Sequence, residues 1–201
     1  MRRFVFLVVV LSFAVKAHSQ EFSSETWHDG YLVNTDGDTI RGLLKYDLEA
    51  NIVQLIRSKV VQTYSSHKVF YFQIFDNVVD NYRQFYSIPY NVSSDYKVPV
   101  IFEVLYEGPL SLLSRESIVQ ETVNNTSAYW GGGGYVRSSV KYVFYFLDKR
   151  GNIKRFTGKK ADLMVIMSKH QNDVKKFIKN NRMQIEDIRD LIRITAFYNS
   201  L

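Results

Sequence analysis

The densest set of oxygen donors in the chain is Asn34-Thr35-Asp36-Gly37-Asp38-Thr39, three acid or amide side chains around one glycine. Oxygen donors at alternate positions are how a helix–loop–helix calcium site begins. Such a site then needs glycine at its position 6 and a bidentate glutamate at position 12. Counting from Asn34, those places hold Thr39 and Lys45, so the glycine falls early and a cation stands where the closing carboxylate belongs. The flanks, YLVN and TIRGLLKY, alternate as strands do, and an Asp-Gly centre between such flanks is a hairpin signal. The stretch is predicted to be a turn.

Other chemistries leave weaker traces. His18, His28, His67 and His170 lie in separate segments, with no pair at the i, i+4 spacing of a helical zinc site. No G-x-S-x-G nucleophile turn occurs, and the run Gly131–Gly134 lacks the lysine and helix of a phosphate loop. With no cysteine in the chain there is no thiolate ligand, no cysteine nucleophile and no disulfide framework. Carboxylates distant in sequence, such as Asp29 and Glu103, could meet in a fold, but no spacing brings them together. No catalytic residue, metal ligand set or cofactor is therefore assigned, and enzyme is the weaker class.

Recognition has better candidates. NNTSAYWGGGGYVRSS, residues 124–139, sets four glycines between Tyr129, Trp130 and Tyr135. Four consecutive glycines carry a heavy entropic cost in any regular element, so a flexible loop is expected there. Aromatic rings on its shoulders can stack on a sugar face or fill a partner's pocket. The competing use of these rings, packing back as strand-end core, is the commoner one. Residues 148–201 carry 13 basic and 6 acidic side chains, against 10 and 14 over residues 20–147. Lys154, Arg155, Lys159, Lys160, Lys175 and Lys176 are the core of this basic segment. They suit an anionic envelope surface, or else form a solvated face that keeps the protein soluble.

The elements that must position these groups are mostly strands. From Trp27 to about Phe156, runs rich in Val, Ile, Tyr and Phe recur between Asn, Asp, Gly and Ser. Strands are predicted near 28–34, 39–47, 51–57, 69–76, 82–88, 98–106, 110–114, 117–123, 140–147 and 153–157. VFYFQIF (69–75) and YVFYFL (142–147) are apolar on both faces, as strands covered on both sides are. After Gly158 the period changes to helical: Leu163/Ile166/Met167, Val174/Phe177/Ile178 and Ile188/Leu191/Ile192/Thr195 each mark one face. Three short helices are expected, needing the sheet or each other for stability. The fold class is α+β: an antiparallel β-rich body (a sheet, roll or barrel-like form) over 20–157, followed by a small C-terminal helical segment over 158–201 packed on it.

The first 19 residues have the form of a secretory signal peptide. Arg2 and Arg3 precede the apolar run Phe4–Val15, and Ala17 and Ser19 provide small residues before a cleavage point at Gln20. That run is shorter than the roughly 20 residues that span a bilayer. Export to the periplasm, cell surface or medium is expected, with no transmembrane segment after cleavage. Such a destination disfavours nucleic acid as a partner.

The opening GYLVNTDGDTIRGLLKY, the middle FEVLYEGPLSLLSRE (102–116) and the closing Phe197-Tyr198-Asn199 together resemble a broad group of uncharacterised exported proteins from Bacteroidota. The likeness covers most of the chain after the signal segment, and its motifs are turns and packing residues. It implies an envelope or secreted protein of a Gram-negative bacterium and carries no activity. The function expected is a binding or interaction protein that meets a protein or glycan partner in the envelope through Tyr129, Trp130 and Tyr135. The alternatives are an envelope hydrolase with a site assembled from several strands, and a structural subunit of an envelope complex.

Overall fold

The computed structural model describes residues 21–91, 96–124 and 134–201, so the segment expected to be a signal peptide lies outside it. Ten strands form one antiparallel sheet: β1 (His28–Asn34), β2 (Thr39–Asp47), β3 (Ile52–Arg57), β4 (Val60–Ser65), β5 (Val69–Asp76), β6 (Asn81–Tyr90), β7 (Val98–Tyr106), β8 (Leu110–Asn124), β9 (Gly134–Asp148) and β10 (Ile153–Arg155). Their order is β10-β9-β8-β7-β6-β5-β1-β2-β3-β4. The chain thus runs outward through β1 to β4, returns so that β5 pairs with the other edge of β1, and meanders away through β10. Three helices follow: α1 (Lys160–Ile166), α2 (Gln171–Asn180) and α3 (Ile188–Asn199). The fold is α+β and dominated by its sheet.

The opening motif is the β1–β2 hairpin. Asn34 Oδ1 accepts from the N–H groups of Asp36 and Asp38 at 3.0 and 2.8 Å, and Gly37 takes the left-handed conformation at φ 91°. The two outer glycines of the motif have a different use. Gly30 and Gly42 face each other across the hairpin. A Cβ on Gly30 would stand 2.1 Å from the Gln73 carbonyl oxygen, and one on Gly42 would stand 2.3 Å from that of Ile56. Only glycine lets adjoining strands come so close, and such points are where a sheet can bend sharply.

The bend brings the β2–β3 turn over to β7 and β8. β7 pairs with β8 only from Glu103 to Tyr106, leaving the edge at Ile101 open. Asn51 Oδ1 accepts from the Ile101 N–H at 3.1 Å, while Arg115 donates to the Ile101 carbonyl at 2.7 Å, to Asn51 Oδ1 at 2.9 Å and to the Leu48 carbonyl. The sheet is rolled, and this seam closes it.

Inside the roll, Leu32, Leu44, Tyr46, Val53, Leu55, Phe72, Ile74, Phe85 and Ile101 form one core. Phe72 and Phe85, opposite each other on β5 and β6, stack at 4.6 Å. A second core lies under the helices. Leu112, Phe144 and Phe146 of the sheet meet Leu163, Met167, Val174, Leu191 and Ile194. Val100, Phe102, Leu113 and Tyr145 bury the opposite face of β7 to β9, which explains why β9 is apolar on both sides. Each such side chain taken fully from water contributes about 1.5–3 kcal/mol. Asp187 caps α3, accepting from the N–H groups of Arg189 and Asp190. At the other end Asn199 behaves like a one-residue strand, accepting from the Leu110 N–H at 2.8 Å and donating to its carbonyl at 2.9 Å.

Three details differ from the sequence reading. β4 (Val60–Ser65) was not expected: it is exposed at nearly every position, so it has no burial alternation to reveal it. The two strands expected over 110–114 and 117–123 are one, β8. Of the glycine loop expected over 124–139, residues 134–139 are strand, because β9 begins at Gly134 and pairs continuously with β8 from there, β-branched residue against β-branched residue at Thr122–Val136 and Ile118–Val140, while residues 125–133 lie outside the described residues.

Candidate functional site

The strongest concentration of ionisable groups is one that no local motif marks. Arg83 of β6 is 8% exposed and donates five hydrogen bonds inside the roll. Its Nε and Nη2 reach the two oxygens of Glu103 on β7 at 2.7 and 2.8 Å. Nη2 also reaches Glu116 on β8 at 2.9 Å, and Nη1 reaches Asp76 at the end of β5 at 2.9 Å and the Tyr46 hydroxyl on β2 at 2.7 Å. Tyr46 in turn donates to Glu116 at 2.5 Å, and Ser114 donates to Glu103 at 2.9 Å. His28 closes the group. Its Nε2 stands 2.7 Å from the Ser23 carbonyl, which can only accept, so Nε2 carries the proton; Nδ1 lies 3.8 Å from Asp76. One guanidinium therefore faces three carboxylates that arrive from three different strands.

The sheet's alternation puts them there. Arg83 and Phe85, Glu103 and Ile101, and Glu116, Ser114 and Leu112 share the inward side of their strands. Burial works against the Arg83 charge, but the hydrogen-bonded Glu103 carboxylate, helped by Glu116, holds the guanidinium well above its ordinary value. Burial, with Glu116 beside it, pushes the Tyr46 phenol far up despite the opposing Arg83 charge. For Asp76 burial is outweighed by hydrogen bonds from the Ser23 hydroxyl, Arg83 and the Val78 N–H, and its carboxyl sits below the usual 3.8.

A cleft of about 400 Å³ opens beside this group at the seam of the roll. Glu25, Asp47, Glu49 and Glu116 line it, with Lys45 and Tyr46. This acidic cleft is where an acid–base pair would have to stand. Both Glu116 oxygens are already taken, one by Tyr46 and one by Arg83, so neither is positioned to exchange a proton with a substrate. Around Arg83 the arrangement is that of a satisfied structural network, with His28 Nδ1 at its margin left without a hydrogen-bond partner among the described residues. Asp29 and Glu103, the pair considered from sequence, do not meet: Asp29 is exposed on the outer face and Glu103 is buried inside. Among the described residues no three His, Asp or Glu side chains are grouped to hold a metal ion.

Of the predicted recognition residues, Tyr129 and Trp130 lie outside the described residues. Tyr135 is on β9, 52% exposed and paired across the ribbon with Val123. The strands that carry it are the longest in the sheet at 15 residues each. β8 is joined by β7 only up to Ser114, and β9 by β10 only from Tyr145 to Leu147. From Ser117 to Asn124, and from Gly134 to Lys141, they pair with each other alone. At about 3.4 Å per residue this is a two-stranded ribbon ~25 Å long. Its sides carry the exposed Tyr135 and Val136 and the cross-strand pair Glu121–Arg137 at 3.7 Å.

The basic residues Lys154, Arg155, Lys159, Lys160, Lys175 and Lys176 are all exposed, spread over β10, the entry to α1 and α2. Their neighbours Lys149 and Arg150 meet Lys169 and His170 in a separate cleft of about 510 Å³ under the end of α3. Among the described residues no helix is long and apolar enough to cross a membrane.

Comparison with protein-family models, with curated proteins and with solved structures finds no match to this chain in any of the three.

Proposed function

We propose that this is an exported, envelope-associated binding or interaction protein that presents the β8–β9 ribbon to a partner. The observation that carries the proposal is the self-paired outer half of that ribbon. A two-stranded hairpin alone is marginal in water, and both its edges hold unpaired backbone donors and acceptors. With Tyr135 and Val136 exposed on it, and Tyr129 and Trp130 in the segment between its strands, it suits pairing or stacking against a second molecule. The signal-like N-terminus and the resemblance to exported Bacteroidota proteins support an envelope setting. The exposed lysines and arginines of β10, α1 and α2 would orient the protein at an anionic envelope surface.

The test is a photo-crosslinking residue placed at Tyr135 in the native host to identify the partner, followed by capture of that partner with an affinity-tagged full chain and with a tagged variant in which residues 120–138 are replaced by Asn-Gly. A single stoichiometric crosslinked partner that the shortened, still folded variant no longer captures supports the proposal. Capture that survives the shortening refutes it. The hydrolase reading has one observation in its favour, the opening of the seam cleft onto Glu116 and Tyr46. The full hydrogen bonding of Glu116 weighs against it.

A further inference from the structure

The outer face of β1, β2, β5 and β6 carries polar groups of another kind. In the rolled core every ionic group is bonded to another. On this outer face, planar polar groups outside any ion pair among the described residues stand beside exposed rings. The register aligns two cross-strand rows, Leu43–Asp29–Phe75–Tyr82 and Arg41–Tyr31–Gln73–Gln84. Between them is a trough of about 480 Å³, walled by Asp29, Tyr31, Arg41, Gln73, Phe75 and Tyr82. Its floor is backbone at Gly30, Gly42 and Ile74, the inward-facing positions between the two rows.

We propose that this trough binds a neutral oligosaccharide, a site distinct from the β8–β9 ribbon. Three observations combine. First, Tyr82 is 65% exposed and held edge-to-face by Phe75 at 5.0 Å, so a rigid ring stands ready in water without a partner over it. The C–H face of a pyranose is apolar and flat, and a fixed ring of this kind is what it stacks on at low entropic cost. Second, the polar members are the planar ones. Gln73 Oε1 accepts from Tyr31 at 3.2 Å and from Gln84 at 3.0 Å, which holds the amide by its oxygen and leaves its NH2 bonded to no described residue. Arg41 lies 5.5 Å over the Tyr31 ring and, like Asp29, makes no ion pair among the described residues. A guanidinium, an amide NH2 and a carboxylate supply donors and acceptors to vicinal hydroxyls, each of which can both give and receive.

Third, the charges decide the ligand class. One cation and one anion leave the trough neutral, so neither a sulfated or uronic chain nor a basic peptide is favoured over an uncharged polyol. The aromatic strip continues past Tyr31, which meets Tyr71 edge-on at 5.9 Å, to Tyr86 stacked on Tyr71 at 5.2 Å and to Phe70, 56% exposed. The surface is therefore longer than one sugar ring, which points to an oligosaccharide. Its size also falls within the range of about 300–1,000 Å³ usual for small-ligand sites.

The test is calorimetric titration of the purified protein with cellohexaose, maltohexaose, mannohexaose, chitohexaose and, as the charged control, a heparin hexasaccharide. At least one neutral hexasaccharide is expected to bind with a dissociation constant of about 1 mM or tighter. Tyr82→Ala should weaken it about tenfold, and Arg41→Gln should weaken it too, with melting temperatures unchanged because both side chains are exposed. Heparin should bind more weakly than the best neutral sugar. No neutral binding at about 10 mM would overturn the proposal, and so would binding indifferent to Tyr82→Ala. A response to heparin alone would overturn it as well, assigning any glycan contact to the exposed lysines instead.

Discussion

Replacing Arg83 by methionine keeps most of the side chain's length and removes its charge. Five hydrogen bonds disappear, two to Glu103 and one each to Glu116, Asp76 and Tyr46. The three carboxylates stay buried, at 7%, 8% and 0% exposure for Glu103, Glu116 and Asp76. Removing one partner of a buried ion pair typically costs about 3–5 kcal/mol, because the remaining charge is left uncompensated. Here one cation serves three anions, so the upper part of that range is expected. Whole domains have only about 5–15 kcal/mol of stability, so the variant should be barely folded at pH 7.

The sign of its pH dependence distinguishes this cause from simple loss of packing. In the native protein Asp76 titrates below its ordinary value, and the stability it contributes is present above about pH 4 and lost as pH falls through that lowered value. In Arg83→Met the orphaned carboxylates are pushed upward by burial, so the unfolded state ionises first and stability should rise as pH is lowered from 7 towards 5. Urea unfolding followed by tyrosine and tryptophan fluorescence at pH 7, 6 and 5 reads both effects. Adding Glu103→Gln and Glu116→Gln to Arg83→Met should recover part of the loss at pH 7 and flatten the slope. A loss under about 1 kcal/mol at pH 7, or a variant that weakens further towards pH 5, would refute the account of Arg83 as the neutralising hub.

Three further outcomes follow from local geometry. Gly30→Ala should lower stability by about 2–3 kcal/mol in urea titration, since its methyl would meet the Gln73 carbonyl and force the strands apart; an unchanged midpoint would mean that the bend relaxes freely. Lys59→Gly should raise stability by about 0.5 kcal/mol. Ser58 and Lys59 both hold positive φ, at 50° and 66°, in the two-residue β3–β4 turn, and the relief of about 1–2 kcal/mol at Lys59 exceeds glycine's entropic penalty. Asn199→Ala should cost about 2–3 kcal/mol by leaving both Leu110 backbone groups unbonded. Amide exchange should then quicken at Leu110 and in α3 before the rest of the sheet.

What the sequence made legible tracks where burial alternates. β1 and β2 were readable to the residue, because two strand-like runs flank an Asp-Gly turn and Leu44 and Tyr46 alternate with Lys45 and Asp47. The helices were readable from Val174/Ile178 and Leu191/Thr195. β4 was hidden for two reasons: its side chains are bathed on both faces, and its turn is built from Ser58 and Lys59 in place of the Asn-Gly that advertises such turns. The Arg83 group was hidden differently. Its members sit at positions 46, 76, 83, 103 and 116, and nothing in their spacing tells an inward carboxylate from a solvated one. The one trace was a charged residue where alternation called for an apolar one, as Arg83 precedes Phe85 by two and Glu103 follows Ile101 by two. The trough was invisible because its rows are made by pairing between strands far apart in the chain.

The return of β5 to the open edge of β1 also sets an order of events for a chain emerging N-terminus first. β1 to β4 can zip as successive hairpins, but the first strand then waits, half paired, until the fifth arrives. Tyr46 and Asp76 emerge before Arg83, and Glu103 and Glu116 only after it. A pause between β6 and β7 would leave the guanidinium with Asp76 alone of its three carboxylates, and a chain cut short of Glu116 could not complete the interior at all. Commitment to the native roll is thereby deferred to the second half of synthesis, and until β5 is made one edge of β1 keeps its backbone groups unpaired.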